Sequence, residues 1–85
     1  MVYEEERKTE YIETLTSELP VLRARLHISQ ADLARGIGIS RQTYSLIETG
    51  KQQMTWVTFM AAIAFFSGNE KTRRDLIVLG LIDIA

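Results

Sequence analysis

The sequence predicts an all-α domain, and three observations carry that prediction. Apolar residues recur at three- and four-residue spacing wherever a period is visible. No alternating run of β-branched residues is long enough for a strand. Serine or threonine opens, and glycine closes, most of the periodic segments. With 85 residues there is room for one hydrophobic core, so residues 1–85 are expected to form a single domain. The 46% hydrophobic and 25% charged content suits a folded chain rather than a disordered tail.

Taken in order, the first element is an acidic helix over about Glu4 to Thr16, with Tyr11, Ile12 and Leu15 on one side. Ser17 can cap a second helix with Pro20 in its first turn, where a missing N–H costs nothing, and Leu19, Leu22 and Leu26 form its apolar stripe. Ser29 is an N-cap signal with Asp32 three residues on, and Leu33, Ala34 and Ile37 make a short apolar face. Gly38 allows a sharp turn through the left-handed region, and Ser40 caps the next helix, RQTYSLIE, which stops at Gly50. Thr55 caps a helix that buries Trp56, Phe59, Ile63 and Phe66, leaving Phe65 exposed. Ser67-Gly68-Asn69 interrupts it, and Glu70 to Leu79 forms the last helix. The terminal LIDIA reads equally as a helical continuation or a packed tail. The expected division is thus 1–17 acidic helix, 18–68 core with a helix-turn-helix at 29–50, and 69–85 C-terminal helix and tail.

Several chemistries are excluded by composition. One histidine and no cysteine cannot supply a Cys/His zinc site, a thiol nucleophile or a redox pair. No nucleophile elbow, phosphate-cradling glycine loop or H-E-x-x-H is present, so the expectation is a non-enzyme without metal or other cofactor. The start is acidic and lacks a signal-peptide pattern, and the longest nearly apolar stretch, Trp56 to Phe66, falls well short of the roughly 20 residues that span a bilayer. A soluble cytoplasmic protein with no membrane partner is expected.

Net charge is −1, yet the charges are segregated. Residues 1–20 carry net −4, residues 21–51 carry +3 and residues 52–85 are neutral. The basic middle coincides with two short helices joined by a tight turn, each opened by a serine. Such a unit presents a helix N-terminus to phosphate and lays its second helix in the major groove. Arg41, Gln42, Thr43 and Ser45 stand at the start of that second helix, and arginine and glutamine are the side chains that make bidentate contacts to guanine and adenine.

The stretch LRARLHISQADLARGIGISRQTYSLIETGK, with S-Q-x-x-L-A, G-I-S-R-Q-T and I-E-x-G-K at matching spacings, resembles the lambda-repressor-like, Cro/CI-type (XRE) helix-turn-helix regulators. The resemblance extends more weakly to Phe66. It implies a five-helix lambda-repressor-like domain, here with an additional acidic N-terminal helix. By the same resemblance Gln30 holds a phosphate and braces the recognition helix, and Leu33, Ala34, Ile39 and Ile47 are core. Ser40 opens the DNA-facing turn; Arg41, Gln42 and Ser45 face bases, Leu46 a thymine methyl and Thr43 the backbone. Lys51, Gln52 and Gln53 follow the phosphates, and Arg23 with Glu48 forms a structural pair. Tyr44 lies inward by the same pattern, with a hydroxyl that could reach a phosphate at the margin. Three residues depart from the pattern: His27 stands where glycine is usual, Met54 where proline is common, and Gly36 interrupts a helix without a sequence-level reason.

Trp56, Phe59 and Phe66 read as core rather than as a stacking platform for single strands, and Arg73-Arg74 as a solvated helix face rather than a second DNA contact. The aliphatic C-terminus is expected to exceed what a small domain can bury, which makes Leu76, Ile77, Leu79, Leu81 and Ile82 a dimerisation surface, the competing reading being that the last helix closes the monomer's own core. The expected function is sequence-specific double-stranded DNA binding by a homodimeric transcriptional regulator on a palindromic operator. The alternative is an interaction module, such as an antitoxin, that holds a second protein through its C-terminal apolar surface and binds DNA secondarily.

Overall fold

The computed structural model describes residues 3–84, so Met1, Val2 and Ala85, the last residue of the LIDIA tail, lie outside the described residues. A short 3₁₀ turn, Glu5–Arg7, leads into α1 (Lys8–Leu26), α2 (Gln30–Ile37), α3 (Arg41–Glu48), α4 (Trp56–Ser67) and α5 (Glu70–Val78). Among the described residues there is no strand, and no helix is long and apolar enough to cross a membrane.

The expected break at Ser17 does not occur. One helix runs from Lys8 to Leu26 with Pro20 inside it, and the Ser17 hydroxyl donates to the Thr14 carbonyl at 2.9 Å instead of capping. Ile12, Leu15, Leu19 and Leu22 are all buried and continue one stripe through the proline, so packing along that stripe overrides a local cost of about 3 kcal/mol. The acidic segment is therefore the first half of α1 rather than a separate helix, and the boundary expected between residues 17 and 18 falls inside a continuous element.

α1 is the spine, packing against α3, α4 and α5, while α2 packs on α3 and α4. Leu15, Leu19, Leu22, Leu33, Tyr44, Phe59, Phe66 and Leu76 are fully buried where these helices meet. His27 ends α1 in the left-handed region at φ 55°, so it takes up the left-handed cap that its place at a usual glycine left open. Each later helix has a side-chain cap: Ser29, Ser40, Thr55 and Asn69 accept from backbone N–H groups of the first turns. At α2 the cap is reciprocal, since Asp32 accepts from the Ser29 N–H at 3.2 Å. That bond, with the Ser29 hydroxyl and Arg35, holds the Asp32 carboxyl below the usual carboxylate range.

Gly36 and Phe65 explain one another. A Cβ at Gly36 would stand 2.3 Å from Phe65 Cε1, so the glycine gives up helix propensity to admit an aromatic ring from α4. Phe65 is correspondingly half-buried rather than exposed. Met54, in the loop that leads to α4, is also buried.

The C-terminal segment is mostly committed to the core. Leu76 and Leu81 are fully buried, and the Tyr3 hydroxyl donates to the Leu81 carbonyl at 2.9 Å. Tyr3 also meets Tyr11, Trp56 and Phe59 edge to face, so the two ends of the chain are joined at one aromatic cluster. Leu76 and Leu81 thus cannot form the dimerisation surface expected of them, because the monomer itself has enough apolar surface to cover them. Ile77, Leu79 and Ile82 are half-buried, while Val78 and Ile84 are exposed.

Candidate nucleic-acid interface

The two short helices α2 and α3 are separated by Gly38, which turns the chain at φ 83°. Its N–H and that of Ile39 both return to Ala34, closing α2 and setting the direction in which α3 departs. Ser40 then accepts from the Thr43 N–H at 3.0 Å and donates to the Thr43 hydroxyl at 2.9 Å. Both hydroxyls are thereby engaged in opening the helix. Tyr44 and Ile47 point inward and are buried, which turns Arg41, Gln42, Ser45 and Leu46 to the other side. Arg41 and Gln42 are exposed, Leu46 is 37% exposed, and Arg41, Gln42 and Ser45 together line a shallow depression.

What holds α3 in place is Glu48. Arg23 Nε donates to Glu48 Oε2 at 3.0 Å and Arg23 Nη2 to Oε1 at 2.8 Å, a bidentate pair between α1 and the end of the recognition helix. Gln30 Nε2 donates to Oε1 at 3.3 Å, and the Tyr44 hydroxyl donates to Oε2. Arg23 Nη1 also reaches the Ile28 carbonyl at 3.3 Å, which ties the α1–α2 corner to the same cluster. Burial alone would push the Glu48 carboxyl up, but the bonds from Arg23, Tyr44 and Gln30 outweigh it and hold the group below its ordinary value. Burial, followed by the bond to Glu48, pushes the Tyr44 phenol well above the usual tyrosine range.

The loop after α3 is fastened at its root. The Lys51 and Gln52 N–H groups both donate to the Leu46 carbonyl, at 2.9 and 3.2 Å, so the side chains of Lys51, Gln52 and Gln53 are exposed on a held backbone.

The anticipated Arg23–Glu48 pair is present, and Gln30 braces α3 through that pair. The place of Tyr44 in the network was not anticipated beyond its inward direction. Its only signal in the sequence is the four-residue spacing to Glu48, which places both on one side of α3.

Two serine-capped helices at a glycine turn, with an acid-centred network behind the second, define a helix-turn-helix protein. Residues 22–55 match the helix-turn-helix family model, a match that supports a DNA-binding segment of the Cro/CI, XRE type. A search of the curated proteins and a search of solved structures each returned no match. The match supports DNA binding in a transcriptional regulator of that type.

Proposed function

We propose that the protein recognises a specific double-stranded DNA operator as a homodimer and regulates transcription by occupying it. The observation that carries this reading is the Glu48 cluster, which fixes α3 from behind while Arg41, Gln42 and Ser45 stand outward and unburdened by ion pairs among the described residues. Arg41 would contact guanine, Gln42 adenine, Ser45 an adjacent base and Leu46 a thymine methyl, with Gln30, Ser40, Thr43, Lys51, Gln52 and Gln53 positioned along the backbone. Two copies related by a two-fold axis would set their recognition helices about 34 Å apart on one side of the duplex, which calls for a palindromic site. The dimer surface would use Ile77, Leu79 and Ile82, whose burial is only partial, together with exposed Val78.

Selection from a random duplex library at about 0.1 M salt, paired with sedimentation of the free protein, tests the proposal. The expected result is an enriched palindrome and a dimer mass. A second reading, an interaction module that grips another protein, is favoured by Val78 and Ile84, which are 81% and 83% exposed. A monomeric chain without sequence preference would select it.

A further inference from the structure

A second basic surface lies away from α3. Arg25 near the end of α1, His27 at its cap, and Lys71 and Arg74 of α5 line one groove with Val21 and Ala24, and no acidic residue shares that lining. Arg25 meets Asp75 at 3.0 Å outside this lining, and Arg74 meets Glu70 at 3.5 Å with both side chains about three-quarters exposed. Pairs as exposed as Arg74–Glu70 are held weakly and exchange readily for another anion. Lys71 has no acidic partner among the described residues.

The position of this groove follows from how α5 lies on α1. Asp75 sits beside Arg25, while Val78 and Leu79 share a groove with Glu18 and Val21, so the two helices run antiparallel. The N-terminal half of α5 is therefore at the end of α1 from which the chain enters α2. Gln30 lies three positions after His27, a reach of about 10 Å at most, which spans about three phosphates at about 3.4 Å of rise each along one strand.

We propose that the Arg25–His27–Lys71–Arg74 groove is a second phosphate-contact site, holding the duplex backbone outside the segment that α3 reads. The inference rests on the DNA-binding reading given above. It extends the footprint of each domain beyond the helix-turn-helix and supplies cationic contact that the loop, with Lys51 as its sole cation, provides sparingly. Lys71 and Arg74 carry the charge, and Arg25 and His27 form the opposite wall.

The test compares the full chain with its Lys71→Gln/Arg74→Gln variant on the duplex enriched by selection, embedded in long flanks or trimmed to the site itself. Removing a single phosphate interaction lowers the slope of log affinity against log salt by about 0.9. Between about 50 and 200 mM salt the unmodified chain should therefore lose about 12-fold more affinity than the variant on the long duplex, and no more than the variant on the trimmed one. Equal slopes on the long duplex, with sequence preference intact, would overturn the groove and leave the recognition reading standing. Loss of sequence preference in the unmodified chain would instead overturn both. A salt-sensitive oligomer that forms without DNA and disappears in the variant would show that the groove takes the acidic α1 segment of a second copy, which also contradicts the proposal.

Discussion

Replacing Glu48 by alanine removes the acceptor shared by Arg23, Gln30 and Tyr44. The Glu48 side chain is 9% exposed and that of Arg23 is 21% exposed, so the pair is largely out of water. Breaking a buried pair from one side costs about 3 to 5 kcal/mol, because the remaining charge is left without compensation. Arg23 keeps the Ile28 carbonyl and some access to solvent, which brings the expected cost to about 2 to 3 kcal/mol. For a domain of this length that is a fall in Tm of about 10 to 20 °C, read by a thermal melt followed by circular dichroism. The Arg23→Ala change should cost a similar amount, and the double variant little more than either, since all three remove the same interaction. The pH dependence has a definite sign. The Glu48 carboxyl is held below its ordinary value of 4.5, so its contribution is complete above that pH and is lost as pH falls through the folded value. The gap between wild type and variant should therefore close in acid. A variant melting within about 3 °C of wild type at neutral pH, or fully additive losses in the cycle, would refute the role assigned to the cluster.

Other perturbations probe separate parts of the molecule. Gly36→Ala should destabilise, because about 1 kcal/mol of helix propensity is outweighed by overpacking against Phe65; in a Phe65→Ala background the same change should stabilise, and an unchanged sign would contradict the contact. Pro20→Ala should raise stability by about 1 to 2 kcal/mol, since it supplies an N–H to the Thr16 carbonyl and loses only some unfolded-state restriction. A lower Tm would mean that the helix needs the proline. Lys51→Ala should weaken binding to all duplexes alike and reduce the salt slope by about one, whereas a change in sequence preference would assign Lys51 to base reading.

Local chemistry made the helix-turn-helix legible in advance. Ser29, Asp32, Gly38 and Ser40 act through bonds that span three or four residues, so their roles could be read from spacing alone. Gly36 was opaque because its reason is a ring from α4, nearly thirty positions along the chain. The continuity of α1 was hidden for the opposite reason: Ser17 and Pro20 give a plausible local start signal, and only the unbroken burial of Ile12, Leu15, Leu19 and Leu22 decides against it. At the C-terminus, aliphatic density could not distinguish residues that face a partner from residues that close the monomer. The Tyr3–Leu81 bond and the burial of Leu76 put part of that segment in the core. The candidate interface was legible to the extent that it depends on helical sidedness: Arg41, Gln42, Ser45 and Leu46 lie opposite Tyr44 and Ile47. Its support was less so, because Tyr44 joins the cluster through a hydroxyl whose direction no periodicity specifies.

Base reading by α3 from a frame held by Glu48 is tested by comparing duplex selections by the wild-type chain and by Arg41→Ala. Arg41 is exposed at the first turn of α3 and absent from the supporting cluster, so its removal should leave the fold unchanged. The variant should enrich the same palindrome with preference relaxed at one base pair per half-site and specific affinity lower by about 1 to 3 kcal/mol. A uniform loss of affinity with every position still specified would contradict it and reduce Arg41 to a backbone contact.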